Sequence, residues 1–497
     1  MKRILLLIID ALTEPLLEEE MENGRYPNFK KLTEAGHLQE CISIFPSITH
    51  AALASIVTGE YPNKHGIIAS HWYNFSEEKV AYFSGSLAMM LRKGVGNFFR
   101  EFLLDLNNDY LKAITLFQLL ERKGFETACI NFPIYRGDVS HEVNMPLLLK
   151  WIPTLPASTT IKGPKKLVLG DLIINPNGLD IDATFTGVAN WFGFHDKNTI
   201  DLVLQMATRN EFPDFTLAYF PQNDETSHRE GPAASHHQLG KLDEMLRNLF
   251  DAYGGLDSFL QQFVLIITGD HSQSKMLEDK KEQAVDLSET LIDFKLAETG
   301  QPWNDNSEIM VCPNLRAAHL YFKNDFAPER VQQVLDQLLA EPRIDQLIYR
   351  AELTHVNKGK GYVVQTQNGR LHFWRQENGK AADQYNNTWE WEGDLAVVDG
   401  RLHEGILTFP DYPNAFERIA GALDCSTSGP LWLTAKLGHE LIMPHMTSYA
   451  GGGSHASLHR LDSQPPLIVG GLPDEVTVPQ FPRITDIVPL CLACLQV

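Results

Sequence analysis

The sequence is poor in cysteine and in long apolar runs. Its 497 residues include six cysteines, too few to indicate a disulfide framework. No apolar run reaches the roughly 18 residues that a transmembrane helix needs. The apolar run near the N-terminus, Ile4–Ile9, is too short for a signal peptide and is followed at once by Asp10. We therefore expect a soluble, cytoplasmic protein with no membrane association.

Positive charge is also scarce. The chain has 42 Lys and Arg against 63 Asp and Glu, which gives a formal net charge of -21. Such a surface repels the phosphates of nucleic acids, so we expect no nucleic-acid polymer as a partner. If the substrate is anionic, something other than surface Lys and Arg must attract it. Bound metal ions are the obvious candidates.

Short apolar runs predict the strands of one sheet. They are Ile4–Ile9, Thr127–Phe132, Phe215–Phe220, Phe263–Thr268 and Leu467–Val469. Continuous apolar runs are typical of strands covered on both faces. Helical patterns lie between them, at Asn28–Ala35, Tyr110–Lys123 and Ser235–Phe250. This alternation predicts an α/β fold with a doubly wound, mostly parallel sheet.

The pattern changes after an amphipathic helix predicted at Ala327–Leu339. Residues 345–440 predict a small β-rich insertion, because Asn-Gly and Asp-Gly pairs separate strand-like segments. We expect one hairpin from Tyr362–Gln365 and Leu371–Trp374, and a second from Asp394–Val398 and Arg401–Ile406. The catalytic core is then 1–344 and 441–497. An irregular stretch at about 134–200 predicts a cap near the site.

Acidic residues and histidines follow the predicted strands. Asp10 ends the first strand, Asp224 and His228 follow Phe215–Phe220, and Asp270 and His271 follow Phe263–Thr268. His455 lies in a glycine-rich loop, where glycine permits close backbone approach. Each feature alone fits a helix cap or a polar loop. Ligands of α/β sheets bind at the carboxyl ends of strands, so together these residues indicate a metal site.

The segment Phe45–Gly66 adds hydroxyl groups. Ser47 and Thr49 precede an apolar helix, Ala51–Val57, whose free N–H groups would suit a phosphate. Taken alone, either hydroxyl is better explained as a helix cap. Combined with the carboxylates and imidazoles, the set is typical of a two-metal hydrolase with a metal-activated hydroxyl.

The chain resembles the alkaline phosphatase superfamily, and within it the type I phosphodiesterase/nucleotide pyrophosphatases. The resemblance depends on motifs that occur in family order over most of the chain. They are Asp10, Phe45–Pro46, Thr49, Ile56–Gly59, Tyr61–Pro62, His65–Ile67, Asp224, His228, Gly231–Pro232, Gly269–His271 and Ser454–His455. The family fold matches the α/β fold predicted above.

The resemblance implies specific roles. Thr49 would be the nucleophile, forming a phosphothreonine intermediate. One divalent ion would be held by Asp224, His228 and His455, and the other by Asp10, Asp270, His271 and Thr49. The usual ion of the family is zinc, with manganese or iron in some members, and mixed oxygen and nitrogen ligands suit all three.

One position departs from the family pattern. Nucleotide pyrophosphatases carry an Asn that helps to hold a phosphate oxygen, and Ser70 stands at that position here. Ser70 or the neighbouring His71 would then bind the substrate. The sulfatase motif is missing, because Thr49–Leu53 lacks its Pro and Arg.

These features predict a hydrolase that cleaves phosphodiester or phosphoanhydride bonds of a small phosphorylated substrate. A phosphomonoesterase or a phosphonate hydrolase of the same superfamily is the nearest alternative. A catalytically silent metal-binding interaction protein is a distant alternative, since it predicts a missing ligand or nucleophile and all of these residues are present. The sequence leaves the oligomeric state open.

Overall fold

The computed structural model describes residues 1–75, 77–83, 100–144, 159–173, 193–354 and 359–497. Its α-helices are α1 Glu14–Glu22, α2 Pro27–Ala35, α3 Thr49–Thr58, α4 Pro62–His65, α5 Leu116–Arg122, α6 Asp196–Arg209, α7 Gln222–Glu230, α8 His236–Ala252, α9 Leu256–Gln262, α10 Lys280–Gln283, α11 Leu287–Thr290, α12 Pro328–Ala340, α13 Ala415–Leu423, α14 Arg460–Ser463 and α15 Ile487–Cys494. A π-helix spans Glu101–Tyr110.

The strands fall into two large sheets and several two-stranded pairs. They are β1 Arg3–Ile9, β2 His37–Glu40, β3 His71–Asn74, β4 Lys79–Tyr82, β5 Thr127–Ile130, β6 Val139–Val143, β7 Thr159–Gly163, β8 Lys166–Val168, β9 Phe215–Phe220, β10 Phe263–Thr268, β11 Ser274–Lys275, β12 Ala284–Asp286, β13 Ile309–Asn314, β14 Ala317–Phe322, β15 Ile344–Arg350, β16 Tyr362–Gln365, β17 Arg370–Arg375, β18 Ala381–Asp383, β19 Thr388–Gly393, β20 Arg401–His403, β21 Ile406–Thr408, β22 Leu431–Ala435, β23 Glu440–Ile442, β24 Gly453–Ser454 and β25 Pro466–Gly470.

The first large sheet contains the predicted apolar strands. Its order within the described residues is β2-β25-β10-β1-β9-β5-β8. The pairs from β10 to β8 are parallel, whereas β25 runs antiparallel to β10 and to β2. We call it the parallel sheet. It confirms the predicted doubly wound, mostly parallel α/β fold.

Both faces of the parallel sheet are covered. In β1, Leu5 and Leu7 point into a core with α2, α6 and α8, while Leu6 and Ile8 point into a core with α3, α5 and α15. This alternation explains why β1 is apolar at every position from Ile4 to Ile9. The helix predicted at Tyr110–Lys123 forms only from Leu116, because Thr115 caps the backbone N–H of Gln118.

The second large sheet is antiparallel through most of its pairs. Its order within the described residues is β13-β14-β22-β15-β16-β17-β19-β18-β21-β20. We call it the ten-stranded sheet. Helix α12 covers one face, and the other packs through Phe373 and Trp432 into a core shared with α3. The sheet begins before residue 345, because β13 and β14 supply its first strands; whether 345–440 is a separable insertion stays a prediction.

One predicted hairpin is confirmed and the other is wrong. Strands β16 and β17 pair around Asn368-Gly369, as expected. Residues Leu395–Val398 instead form a 3₁₀ turn capped by Asp394, and the hairpin joins β20 to β21. Its turn residues, Glu404 and Gly405, both have positive φ, at 51° and 83°, as a type I′ turn requires.

The stretch expected to form a cap, at about 134–200, is partly described. Strands β6 and β7 pair there, and β8 forms the edge of the parallel sheet. Residues 145–158 and 174–192 lie outside the described residues, so the cap stays a prediction. Within the described part of the chain, no helix is long and apolar enough to cross a membrane.

Candidate metal centre

The ends of three adjacent parallel strands bring acidic residues together. Asp10 directly follows β1, and Asp270 and His271 follow β10. Asp224 and His228 lie one turn apart on α7, which begins just after β9, so both side chains project from one face of a helix. Because β10, β1 and β9 are neighbours in register, their carboxyl ends meet at one edge.

Two loops complete the arrangement. Thr49 is the first residue of α3, and His455 follows the short strand β24. The glycines before His455 are needed for close approach, since a Cβ on Gly452 would lie 1.8 Å from the carbonyl oxygen of His228. We call Asp10, Asp224, His228, Asp270, His271 and His455 the ligand cluster.

The atoms of the ligand cluster form two overlapping groups. Atoms of Asp224, His228 and His455 lie within 4.8 Å of one another, and so do atoms of Asp10, Asp224 and His271. Asp270 joins the second group through its Oδ2, 3.3 Å from His271 Nε2. The structure thus brings together every residue that the sequence predicted as a ligand. It also places Asp224 in both groups, which the sequence did not predict.

The three histidines of the cluster turn the same nitrogen inward. Their Nδ1 atoms lie 2.8 Å from Gly453 O for His228, 2.8 Å from Ser47 O for His455 and 3.2 Å from Ser272 O for His271. A carbonyl oxygen only accepts, so each Nδ1 carries a proton, and in the neutral ring Nε2 then keeps the lone pair. This is the tautomer in which imidazole binds a metal ion.

The hydroxyl of Thr49 reaches the cluster and that of Ser47 does not. Thr49 Oγ1 lies 3.2 Å from His271 Nε2, and Thr49 is partly exposed. Ser47 is fully buried, and its Oγ donates to the carbonyl oxygen of Ser457 at 2.9 Å. Of the two hydroxyls that the sequence offered, Thr49 is therefore the accessible one.

The cluster has an excess of negative charge. Burial raises the pKa of Asp10 well above its usual range, and the Asp270 and Asp224 carboxylates raise it further. Burial also raises the pKa of Asp270 to about 7. For Asp224 burial acts in the same direction, but the imidazoles of His228, His455 and His271 outweigh it and leave the pKa lowered. The carboxylates of Asp10 and Asp270 therefore lack compensating positive charge.

These features fit divalent cations. Within the described part of the chain, the buried Oδ1 of Asp10 and Oδ2 of Asp270 have no hydrogen-bond partner. Burial lowers the pKa of His271 to about 4, so this ring is neutral at pH 7. Unpartnered carboxylate oxygens beside neutral imidazoles are a donor set for zinc, manganese or iron.

Other residues orient the cluster without a signal in the sequence. Tyr219, on β9, donates its hydroxyl to Asp10 Oδ2, and Gln273 donates its amide to Asp224 Oδ1. Tyr449 stacks on His228, with ring centroids 4.1 Å apart. Strand alternation gives the face on which Tyr219 lies, but nothing in the sequence pairs it with Asp10.

The two predicted substrate-binding residues differ in their surroundings. Ser70 Oγ lies 2.9 Å from Nδ1 of His50, the residue that follows Thr49. His71 is 2% exposed, and its Nδ1 lies 3.3 Å from the carbonyl oxygen of Pro313 in the ten-stranded sheet. His71 is therefore packed inside the protein, whereas Ser70 is partly exposed and so the more accessible of the two to a substrate.

Comparison with known proteins adds a family and a fold. The family model of type I phosphodiesterase / nucleotide pyrophosphatase matches residues 4–457. An inactive variant of murine ectonucleotide pyrophosphatase / phosphodiesterase 5 in complex with AMP has a TM-score of 0.57 at 12% identity, over 100% of this chain and 96% of that chain. Its human counterpart gives 0.54 at 14% identity, over 100% and 95%.

A bacterial enzyme is similar to the same degree. Phosphonoacetate hydrolase from Sinorhizobium meliloti 1021, in complex with phosphonoformate, gives a TM-score of 0.58 at 14% identity, over 99% of this chain and 96% of that chain. Likeness at this level of identity establishes the fold, which is that of the alkaline phosphatase superfamily. No curated protein matches the sequence significantly.

Proposed function

Because the chain belongs to the type I phosphodiesterase/nucleotide pyrophosphatase family of the alkaline phosphatase superfamily, we propose that it is a two-metal hydrolase of small phosphorylated substrates. It cleaves phosphodiester or phosphoanhydride bonds through a phosphothreonine intermediate on Thr49. The observation that carries the proposal is the ligand cluster, whose histidines all turn Nε2 toward carboxylates, with the Thr49 hydroxyl 3.2 Å from Nε2 of His271.

The ligand cluster would hold the two ions. Asp224, His228 and His455 would hold one, and Asp10, Asp270, His271 and Thr49 would hold the other; Asp224 also lies within 4.8 Å of Asp10 and His271 and could reach the second. When bound, the ions supply the positive charge that activates a hydroxyl near neutral pH and neutralises phosphoryl oxygens. Zinc is the proposed ion, with manganese or iron as alternatives.

The residues of the chain carry out two displacements. Thr49 Oγ1 attacks phosphorus, releases its proton to solvent and forms the P–O bond of phosphothreonine, while the P–O bond to the leaving group breaks and its oxygen takes up a proton from solvent. A water molecule then attacks the phosphothreonine, the P–O bond to Thr49 breaks and the hydroxyl is restored. Thr49 begins α3, so the free N–H groups of the first turn face the transferred phosphoryl oxygens.

Ser70 contributes to substrate binding in this proposal. Its hydroxyl and the His50 imidazole form a neutral pair, because burial lowers the pKa of His50 to about 4. When His50 Nδ1 donates within the pair, the Ser70 hydroxyl hydrogen remains free to donate to a phosphoryl oxygen. We also propose a cytoplasmic location, which cell fractionation tests.

Three chromogenic substrates test the function. We expect the holoenzyme to prefer bis-p-nitrophenyl phosphate and the p-nitrophenyl ester of thymidine monophosphate over p-nitrophenyl phosphate. Thr49→Ala should lower turnover by about 10³-fold or more while the metal content stays nearly unchanged. Thr58→Ala, at the other end of the same helix, is the matched control and should keep its activity.

The other outcomes identify the alternatives. Preference for the monoester would make the protein a phosphomonoesterase with the same nucleophile. Silence on all three substrates with metal bound, together with release of phosphate from a phosphonate, would make it a phosphonate hydrolase. Undiminished turnover by Thr49→Ala would refute Thr49 as the nucleophile.

A further inference from the structure

Helix α13 carries an arginine whose side chain is wholly inside the protein. Arg418 is 0% exposed. Its Nη1 donates to the carbonyl oxygens of Pro413 at 3.0 Å and Leu458 at 2.8 Å, and its Nη2 donates to that of Ile44 at 2.9 Å. None of these three acceptors is a carboxylate. The guanidinium therefore joins three main-chain segments that are far apart in the sequence.

Two of those segments carry residues of the candidate metal centre. Ile44 lies on the segment that leads into Thr49, and Leu458 lies on the loop that follows His455. The same segments also bond directly, since Ser47 accepts from His455 Nδ1 and donates to the carbonyl oxygen of Ser457. Arg418 thus bonds to both sides of a junction between the Thr49 segment and the His455 loop.

A second buried arginine, Arg316, also bonds to the His455 loop, through its own main chain. Arg316 precedes β14 and is 1% exposed. Its guanidinium pairs with Asp462 and donates to Ser274 Oγ at 3.0 Å, and its main-chain N–H donates to the carbonyl oxygen of His455 at 3.0 Å. Arg316 has a carboxylate to compensate its burial, whereas the hydrogen bonds of Arg418 all go to neutral oxygens.

Packing alone gives no reason for a charge at position 418. Burial of a cation whose hydrogen bonds reach no carboxylate is costly, and an apolar side chain of similar length would fill the space without that cost. Burial lowers the pKa of Arg418 to about 9, which still leaves it charged at neutral pH. An apolar side chain, however, could not donate the hydrogen bonds that join the carbonyl groups of Ile44 and Leu458.

We propose that Arg418 is a positioning residue for phosphoryl transfer: its guanidinium fixes the Thr49 segment against the His455 loop, so that nucleophile and metal ligand keep their relative places. The catalytic consequence rests on the proposed function of Thr49 and His455. The predicted effect on how rigidly the two segments are held does not, because it can be observed in the folded protein without turnover.

The activity test compares Arg418→Met with a matched packing variant, Ile419→Ala, on the same buried helix. We expect Arg418→Met to keep its metal content and its KM for bis-p-nitrophenyl phosphate within about 2-fold, while kcat falls by about 10²-fold, as displaced reacting groups predict. Arg418→Lys, which keeps the charge and some donors, should be intermediate. Ile419→Ala should lower the melting temperature and keep kcat.

Hydrogen exchange tests the positional part independently of turnover. Arg418→Met should speed amide exchange at 44–49 and at 455–458, and Ile419→Ala should not. If Arg418→Met does not fold, the same comparison is made with Arg418→Lys. Unchanged exchange in both segments, or a kcat loss no larger than that of Ile419→Ala, would overturn the proposal. A wild type with no hydrolytic activity would refute the proposed function, and the exchange result would still decide the role of Arg418.

Discussion

The two large sheets contribute different groups to the surroundings of the candidate metal centre. Carboxylates and imidazoles follow the strands β1, β9 and β10 of the parallel sheet, whereas an amide of the ten-stranded sheet and a guanidinium of α13 bond to nearby main-chain segments. Asp10 and Asp270 follow strand ends of the parallel sheet and have unpartnered oxygens. Asn314 and Arg418 instead bond to main-chain atoms of the loops. The comparison teaches that the parallel sheet supplies the proposed metal ligands, whereas Asn314 and Arg418 bond to the main chain near Ser70, Thr49 and His455.

The largest effect is expected from the parallel sheet, in Asp270→Asn. This change removes a charge that faces His271 Nε2 at 3.3 Å. We expect the metal content to fall from two ions per chain toward one, and turnover to fall by at least about 10²-fold. Elemental analysis of the purified variant measures the first effect and diester hydrolysis the second.

Asp243→Asn is the matched control for this prediction. Asp243 is also a buried acid, but its carboxylate accepts from the N–H groups of Asn28 and Phe29 at the start of α2. The control should lose stability and keep its metal. Full metal occupancy in Asp270→Asn would show that Asp270 is not a metal ligand, and it would weaken the proposed division of roles between the two sheets.

A smaller effect is expected from the ten-stranded sheet, in Asn314→Ala. Asn314 Oδ1 accepts from the N–H groups of Ser70 at 3.1 Å and His71 at 2.9 Å, so its loss leaves both without this acceptor. We expect the free energy of unfolding to fall by about 1–3 kcal/mol, as measured by urea denaturation. The metal content should not change, since Asn314 holds a loop and no ion.

Asn304→Ala gives the corresponding change in an outer turn. Its Oδ1 also accepts from two backbone N–H groups, of Asn306 and Ser307. Because Asn306 is exposed, the loss of stability should be smaller than for Asn314→Ala. Loss of metal from Asn314→Ala at unchanged stability would contradict the separation of roles.

The smallest effect is expected from Ser70→Asn, just before β3. An asparagine reaches further than serine and can donate to a phosphoryl oxygen. We expect a rise of a few-fold in diester turnover, and a fall of similar size in Ser70→Ala. Equal rates in all three proteins would show that another group binds the oxygen.

The sequence predicted the parts of the site that follow from strand pattern. Polar residues follow closely after apolar runs such as Phe263–Thr268, so the sequence alone placed Asp270 and His271 at a sheet edge. Family motifs then supplied Thr49. The hairpin at Asn368-Gly369 was predictable for a similar reason, because its turn chemistry is local.

The rest could not be predicted, because it depends on contacts between distant segments. Nothing around Arg418 indicates that its acceptors are carbonyls of Ile44 and Leu458, and Tyr219 gives no sign of its bond to Asp10. Asp399-Gly400 had the pattern of a hairpin turn, but Asp394 caps a 3₁₀ turn there and Glu404-Gly405 makes the hairpin instead. Local patterns compete, and tertiary contacts decide between them.

The placement of the metal ions tests the central claim most directly. Crystals of the holoenzyme would be measured at the absorption edge of the metal found by elemental analysis. The account predicts two anomalous peaks, one among Asp224, His228 and His455 and one among Asp10, Asp270, His271 and Thr49. No peak in the ligand cluster of an active enzyme, or a single peak remote from Thr49, would contradict it.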